Sequence, residues 1–286
     1  MAVDKLVDST QLDADLTSVA NAIRTKGGTS ASLAFPADFV SAIGDIPSGG
    51  ISIDDLATMS EPSGAIETSV SLVANYAFIR NPNITSFKDN TVERIGIEGF
   101  RYCTALQSVE CANLTILGRP SSAITDTYTL GGCTSLESVK IPKCEHIYGG
   151  GILNGCGSSS HKITMALPAI KDAVGFRGSH FVVLDLGPDC PGFKNDATYQ
   201  GSVTTLIMRR TSSLMTVGNS TAMNGLSADS TVYIPKVFYD HLGDGTADDY
   251  KNATNWTGKA NTVTWAQIEG SYYETHYGDG TEIPSA

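Results

Sequence analysis

The sequence predicts a mainly β chain folded as a short, irregular solenoid, with a small α-helical module ahead of it. Three observations carry that prediction. First, a phrase recurs. Phe100-Arg101-Tyr102-Cys103-Thr104-Ala105-Leu106-Gln107-Ser108-Val109 is echoed by Leu130-Gly131-Gly132-Cys133-Thr134-Ser135-Leu136-Glu137-Ser138-Val139, and more loosely by residues 78–87. Recurrence every few tens of residues marks an array in which each unit buries its apolar face only against its neighbours. Second, 29 glycines in 286 residues and only 17 % charged residues suit short strands joined by turns. Third, apolar residues follow a helical period in residues 1–50 and an alternating one afterwards.

Residues 1–50 read as the helical module and its linker. Asp8, Ser9 and Thr10 can cap a helix over residues 12–25, on which Leu12, Leu16, Val19, Ala20 and Ile23 share one face. Gly27-Gly28 ends it. Pro36 opens a shorter helix through Phe39, Val40 and Ile43, and Pro47-Ser48-Gly49-Gly50 is a linker. One amphipathic helix and a short partner cannot enclose a core. Leu12, Leu16, Val19, Ile23, Phe39 and Ile43 are therefore expected to serve attachment or self-association.

Residues 51–75 are strand-like but unrepeated, and are expected to cap the open end of the solenoid. The repeats occupy residues 76–229. Aligning the apolar residue of each strand places Phe87, Val109, Val139, Ile163, Leu184 and Leu206 in one column, at steps of 22, 30, 24, 21 and 22 residues. Most of these steps fall in the range of roughly 20–29 residues that marks leucine-rich repeats, and the longest implies an insertion near residues 119–129. Residues 230–270 are expected to form the C-terminal cap, with Tyr233, Phe238 and Trp256 plugging the end. The tail, 271–286, is thinly apolar and is expected to pack poorly unless another chain holds it. Its Tyr272, Tyr273 and Tyr277 are the candidate surface-binding residues, because exposed aromatics stack on sugars and anchor interfaces.

The formal net charge of −11 repels phosphate backbones, so no nucleic-acid partner is expected. No apolar stretch approaches the ~20 residues of a membrane span, so no membrane insertion is expected. The opening residues lack the basic flank and apolar core of a secretory signal, which points to assembly in a cytoplasm. Six cysteines occur without a C-x-x-C pair, and Cys103, Cys133 and Cys156 share one position of the phrase. Buried structural thiols explain that spacing better than a disulfide framework.

No catalytic, cofactor or metal site is expected. Gly157-Ser158-Ser159-Ser160-His161 and Gly178-Ser179-His180 only approach a nucleophile turn, and no Gly-x-Ser-x-Gly occurs. The five histidines lack metal spacing. Asp240, Asp244, Asp248 and Asp249 faintly suggest a calcium loop. Leu242 and Lys251, however, stand where such a loop needs oxygen ligands, which favours an acidic turn. The Asn-x-Thr sequons carry no weight in a Thr-rich chain without a signal.

The stretch from Ile95 and Gly96 through Phe100, Cys103, Leu106 and Val109 resembles the BspA-like leucine-rich repeat, whose unit reads roughly I-G-x-x-A-F-x-x-C-x-x-L-x-x-V-x-I-P. Leu136, Val139, Ile141 and Pro142 match its second half. The opening (Val7 to Leu12, Ala20 to Arg24, Gly27-Gly28, then Phe39 to Gly50) resembles the N-terminal segment of tailed-phage structural proteins of gut bacteria. Those resemblances imply a non-enzymatic virion protein of the tail-fibre or surface-fibre kind. Its N-terminal module would join other virion proteins, its copies would form a homo-oligomer, expected to be a trimer, and its solenoid would bind a host-surface glycan or protein. The implied location is the virion surface, after assembly in the host cytoplasm and release by lysis. Two alternatives stay open: a head-decoration or tail-assembly protein without receptor role, and a bacterial surface adhesin of the same repeat family.

Overall fold

The computed structural model describes residues 62–119, 128–149, 151–195 and 197–285, together with Leu16, Thr17, Ala20 and Asn21. The chain divides into two compact units, Met1–Gly50 and Ile51–Ala286. In the first, the four described residues are helical, with Ala20 buried and Leu16 half-buried. Leu12, Val19, Ile23, Phe39 and Ile43 lie outside the described residues, as does the linker.

The second unit is a parallel β-solenoid of about seven turns. Most coils contribute one strand to a long sheet and a two-residue strand to a shorter one. Among the described residues the long sheet has nine strands, in the order β1 (Gly64–Thr68), β3 (Ile84–Asp89), β5 (Ser108–Glu110), β7 (Ser138–Lys140), β9 (Ile163–Leu167), β10 (His180–Leu186), β12 (Ser202–Met208), β14 (Thr231–Ile234) and β15 (Thr264–Gln267). The short side carries β2 (Leu72–Val73), β4 (Arg94–Ile95), β6 (Ile116–Leu117) and β8 (His146–Ile147), then β11 (Gly192–Phe193) with β13 (Thr216–Val217). Two one-turn helices, α1 (Lys236–Tyr239) and α2 (Thr257–Ala260), lie between the last two long strands. All named strand pairs are parallel, as stacking of successive coils demands.

Alternation along each strand sends one residue set inward. Register joins Ile66, Phe87, Val109, Val139, Met165, Leu184, Leu206 and Val232 in one buried column. The expected column is correct at five of its six positions and displaced at one, where Met165 replaces Ile163. The cause is the register of β9 on β7, which sets Met165 opposite Val139. Ile163 pairs with Phe181 while Thr164 pairs with Val183, so β10 bulges by one residue, Val182, which is left exposed. The steps on either side are therefore 26 and 19 residues, not 24 and 21. Residues 62–75 contribute β1 and β2, which stack on β3 and β4, so Ile66 heads the column among the described residues. At the other end β14 and β15 continue the sheet. Phe238, Tyr250 and Trp256 are buried beneath them, with Tyr250 and Trp256 ring centroids 5.5 Å apart. Tyr233, expected in that plug, faces the opposite side of the sheet and meets Tyr273 there.

The third side of each coil is a run of turns, and the repeated phrase lies on it. Six of these turns place one residue in the left-handed region: Arg80, Tyr102, Gly132, Gly155, Gly178 and Gln200, with φ from 60° to 77°. Glycine is most strictly required at Gly132, where a Cβ would stand 2.4 Å from the Tyr102 ring of the preceding coil. The residue that follows is Asn81, Cys103, Cys133, Cys156, Ser179 or Gly201. Except at Gly201, its side chain turns back to the preceding coil. Cys103 donates to the Phe78 carbonyl at 3.0 Å, Cys133 to Phe100 at 3.1 Å and Cys156 to Leu130 at 2.7 Å, and the Ser179 hydroxyl donates to Leu153. All six cysteines are free and buried, including the three, Cys103, Cys133 and Cys156, whose shared place in the phrase predicts it.

Candidate functional site

The outward residues of the long sheet form two columns. One is hydroxyl-rich: Ser86, Ser108, Ser138, Thr164, then Val183, Thr205, Thr231 and Thr264. The other begins as alternating charge, Glu67, Lys88, Glu110 and Lys140, and continues as Ala166, Asp185, Ile207 and Tyr233. Parallel strands stand about 4.8 Å apart, so each column presents one side chain per step of that length. Lys88 and Glu67 lie 3.6 Å apart and both are largely exposed, so their pairing adds little stability and leaves both heads free to meet a ligand. Where β9 meets the bulge of β10, a depression of about 470 Å3 opens, lined by Glu137, Ser159, Ser160, Lys162, Thr164 and Val182.

The two columns differ sharply between the ends of the sheet. From β1 to β7 the second column is exposed, whereas Ala166, Asp185 and Ile207 are buried. Over Asp185 and Ile207 lies the tail. The expectation that residues 271–286 pack poorly unless another chain holds them is corrected here: residues 271–285 fold back on the chain's own sheet as a small hairpin. Ser271 caps a 3-10 turn at Tyr272–Glu274, His276 bridges Glu282, and the Tyr277 N–H donates to the Thr281 carbonyl at 2.8 Å. Beneath it Arg209 grips Asp185 through two bonds of 2.8 Å, with side chains 10 % and 1 % exposed. Burial pushes the Asp185 carboxyl up, against the opposing pull of Arg209 and the Gly278 N–H.

The three candidate tyrosines therefore differ in setting. Tyr272 is exposed and stacks on His276, with centroids 4.2 Å apart. Tyr273 packs edge-on against Tyr233 at 4.8 Å, and the Tyr277 ring lies 5.2 Å from the Arg209 guanidinium. The turn side carries a further aromatic group that sequence reasoning missed. Arg101 lies between Tyr102 and Tyr128, 4.8 and 4.3 Å from their centroids, and is held by Glu98 at 2.6 Å. Its only signal is the spacing of Arg and Tyr around the left-handed turn.

The residues weighed for catalysis do not converge. The Ser158 hydroxyl accepts the His161 N–H and shares a bond with Ser160, while His161 turns to Glu137 at 2.6 Å. Ser179 is spent on the Leu153 carbonyl. His180 meets Ser202 at 3.0 Å across β10 and β12, but burial and the nearby Lys162 cation push its pKa down, the reverse of what a triad carboxylate provides. No protein-family model and no curated protein matches the chain.

The acidic turn uses its carboxylates internally. Asp244 takes the Thr246 N–H and hydroxyl and pairs with His241, which together hold it at about 2. Asp249 takes the N–H groups of Gly245 and Lys251. Among the described residues no group of three or more His, Cys, Asp or Glu side chains is arranged to hold a metal ion. None of the described helices is long and apolar enough to cross a membrane.

Proposed function

We propose that this chain is a non-enzymatic virion protein of a tailed phage, of the tail-fibre or surface-fibre kind, and that the exposed half of its long sheet is the host-binding surface. In this reading the solenoid is a BspA-like leucine-rich array. The helical module at residues 1–50 joins the chain to other virion proteins, and copies associate as a homo-oligomer. One observation carries the binding assignment: the regular, uncovered double column of hydroxyls and alternating charges from β3 to β7, set on a rigid stack of coils. A ligand with repeated hydroxyl groups, such as a surface glycan, meets matching donors and acceptors at each step. A protein meets paired charges of both signs. Neither requires the scaffold to move, which suits a surface built from stacked repeats. The assignment to a virion rests on the likeness of the opening segment to phage structural proteins.

Two experiments test the reading. Immunogold electron microscopy of particles induced from the source bacterium, with antibody to residues beyond 51, should label projecting fibres or tail tips. Gold spread over heads would favour decoration, and labelled cell envelopes beside bare particles would leave the adhesin. For the surface itself, Ser108→Arg and Ser138→Arg place long cations on the outward column without entering the core. Both should abolish adhesion of the purified chain to host cells at unchanged melting temperature. Undiminished adhesion by both variants refutes the assignment of this face.

A further inference from the structure

The tail does more than cover the sheet, because the place where it rests has the features of a peptide-binding site. Asp185 stands on β10 and Arg209 directly after the end of the adjacent β12, and the two are paired and almost fully buried. Each turns its remaining hydrogen-bonding capacity to the main chain of the tail. Arg209 donates to the Tyr273 carbonyl through one terminal nitrogen and to the His276 carbonyl through the other, both at 2.8 Å. Asp185 accepts the Gly278 N–H at 2.7 Å. These bonds read backbone, and two features add selectivity. Gly278 approaches so closely that a Cβ would stand 2.5 Å from Val183 and 2.9 Å from the Asp185 Cβ. Tyr273 fills a small apolar cluster with Val183, Ile207, Ile268 and Tyr233.

We infer that the outer face of β10, β12 and β14 is a binding site for a glycine-containing hairpin peptide, filled here by the chain's own tail and able to accept the tail of a second copy in its place. The chemistry of the site makes no distinction between a tail attached to the same chain and one from a neighbour. What favours the chain's own tail is tethering, which supplies an effective concentration in the millimolar range for a short connection. The join lies at Gly270, whose φ of 78° turns the chain after β15 in open space, with its N–H donating at 2.8 Å to the Glu274 carboxylate of the tail's own first turn. Exchange of an identical element between copies is a low-cost route to oligomers. The inference stands on the tail contacts alone and holds whether or not the solenoid binds a host.

The test uses the full chain carrying Gly278→Val, whose own tail can no longer seat, and a labelled synthetic peptide of residues 271–286 that keeps Gly278 and stands for the tail of another copy. Fluorescence anisotropy should show saturable binding to the variant, at least about tenfold tighter than to the native chain, where the tethered tail competes. The same peptide with Gly278→Val should not bind, and adding Arg209→Gln to the variant chain should abolish binding. Circular dichroism checks the fold, and hydrogen exchange checks that residues 272–283 have been released. A folded variant with a released tail that fails to bind the peptide overturns the inference. So does a variant whose tail amides stay as protected as the native ones. Should Gly278→Val unfold the chain, a protease site inserted between Gly270 and Ser271 and cut after folding releases the tail instead. The nicked chain must then bind the labelled peptide, and failure to do so has the same force.

Discussion

The residue after the left-handed turn offers the sharpest test of what holds the coils together. Composition suggests that Cys103, Cys133 and Cys156 fill small apolar slots, in which case alanine should replace cysteine better than serine does. The structure predicts the opposite order. Cys156 is fully buried and its thiol donates at 2.7 Å to the Leu130 carbonyl of the coil before it. The same slot one coil later holds Ser179, whose hydroxyl makes the equivalent bond to Leu153. Cys156→Ser keeps a donor in a position the fold already accepts for serine. Cys156→Ala removes it and leaves a void of one sulfur atom. Leu130 would still accept the Cys133 N–H at 3.3 Å, so its carbonyl loses one of two partners. A single neutral hydrogen bond is worth about 1 kcal/mol net. The serine variant should therefore be the more stable of the two by about that amount, or about 2–4 °C in melting temperature for a chain of this size. Urea and thermal midpoints, followed by circular dichroism, measure it. Since stacked repeats can unfold in parts, the comparison is valid only if both variants keep the native urea dependence. An alanine variant more stable than the serine variant refutes the reasoning and restores plain apolar burial as the role of the slot.

Two further outcomes follow from the same packing. Asp89 is buried at the last position of β3, where burial pushes its carboxyl up but bonds from Thr68, Thr91 and Val70 outweigh that and hold it below the ordinary carboxylate value. A lowered folded pKa means the stabilisation is present above the unfolded pKa of about 3.9 and is lost as pH falls through the lower, folded one. Urea midpoints should thus drop along that acid limb, and Asp89→Asn should lower the midpoint at neutral pH and flatten the limb; an unchanged limb counts against the assignment. The thiols supply the other outcome. Burial pushes Cys103, Cys111 and Cys144 up to about 12 and Cys190 up to about 11, so none of these four is a thiolate at pH ~8. A disulfide reagent should leave the native chain almost unmodified and titrate six thiols after unfolding, and one fast-reacting native thiol would contradict the packing.

The sequence by itself determined the period, the inward column and the place of the turn phrase. It could do so because a solenoid repeats its contacts: each coil meets the next at the same offset, so a buried position leaves the same mark every turn. Phe87, Val109, Val139, Leu184 and Leu206 are legible for that reason. The outward hydroxyls were within reach too, in the alternation of Ser108, Val109 and Glu110 and of Ser138, Val139 and Lys140. Tertiary structure alone decided what does not repeat. The register between β7 and β9 moved one rung from Ile163 to Met165, since the two stand two residues apart on the same inward face and alternation alone does not choose between them. Packing also turned the phrase's cysteine from a space-filler into a donor, because the carbonyl it serves belongs to another coil. The seat of the tail was hidden most completely. Gly278 lies 93 residues from Asp185, and a contact made once across such a distance leaves no periodic trace in the chain.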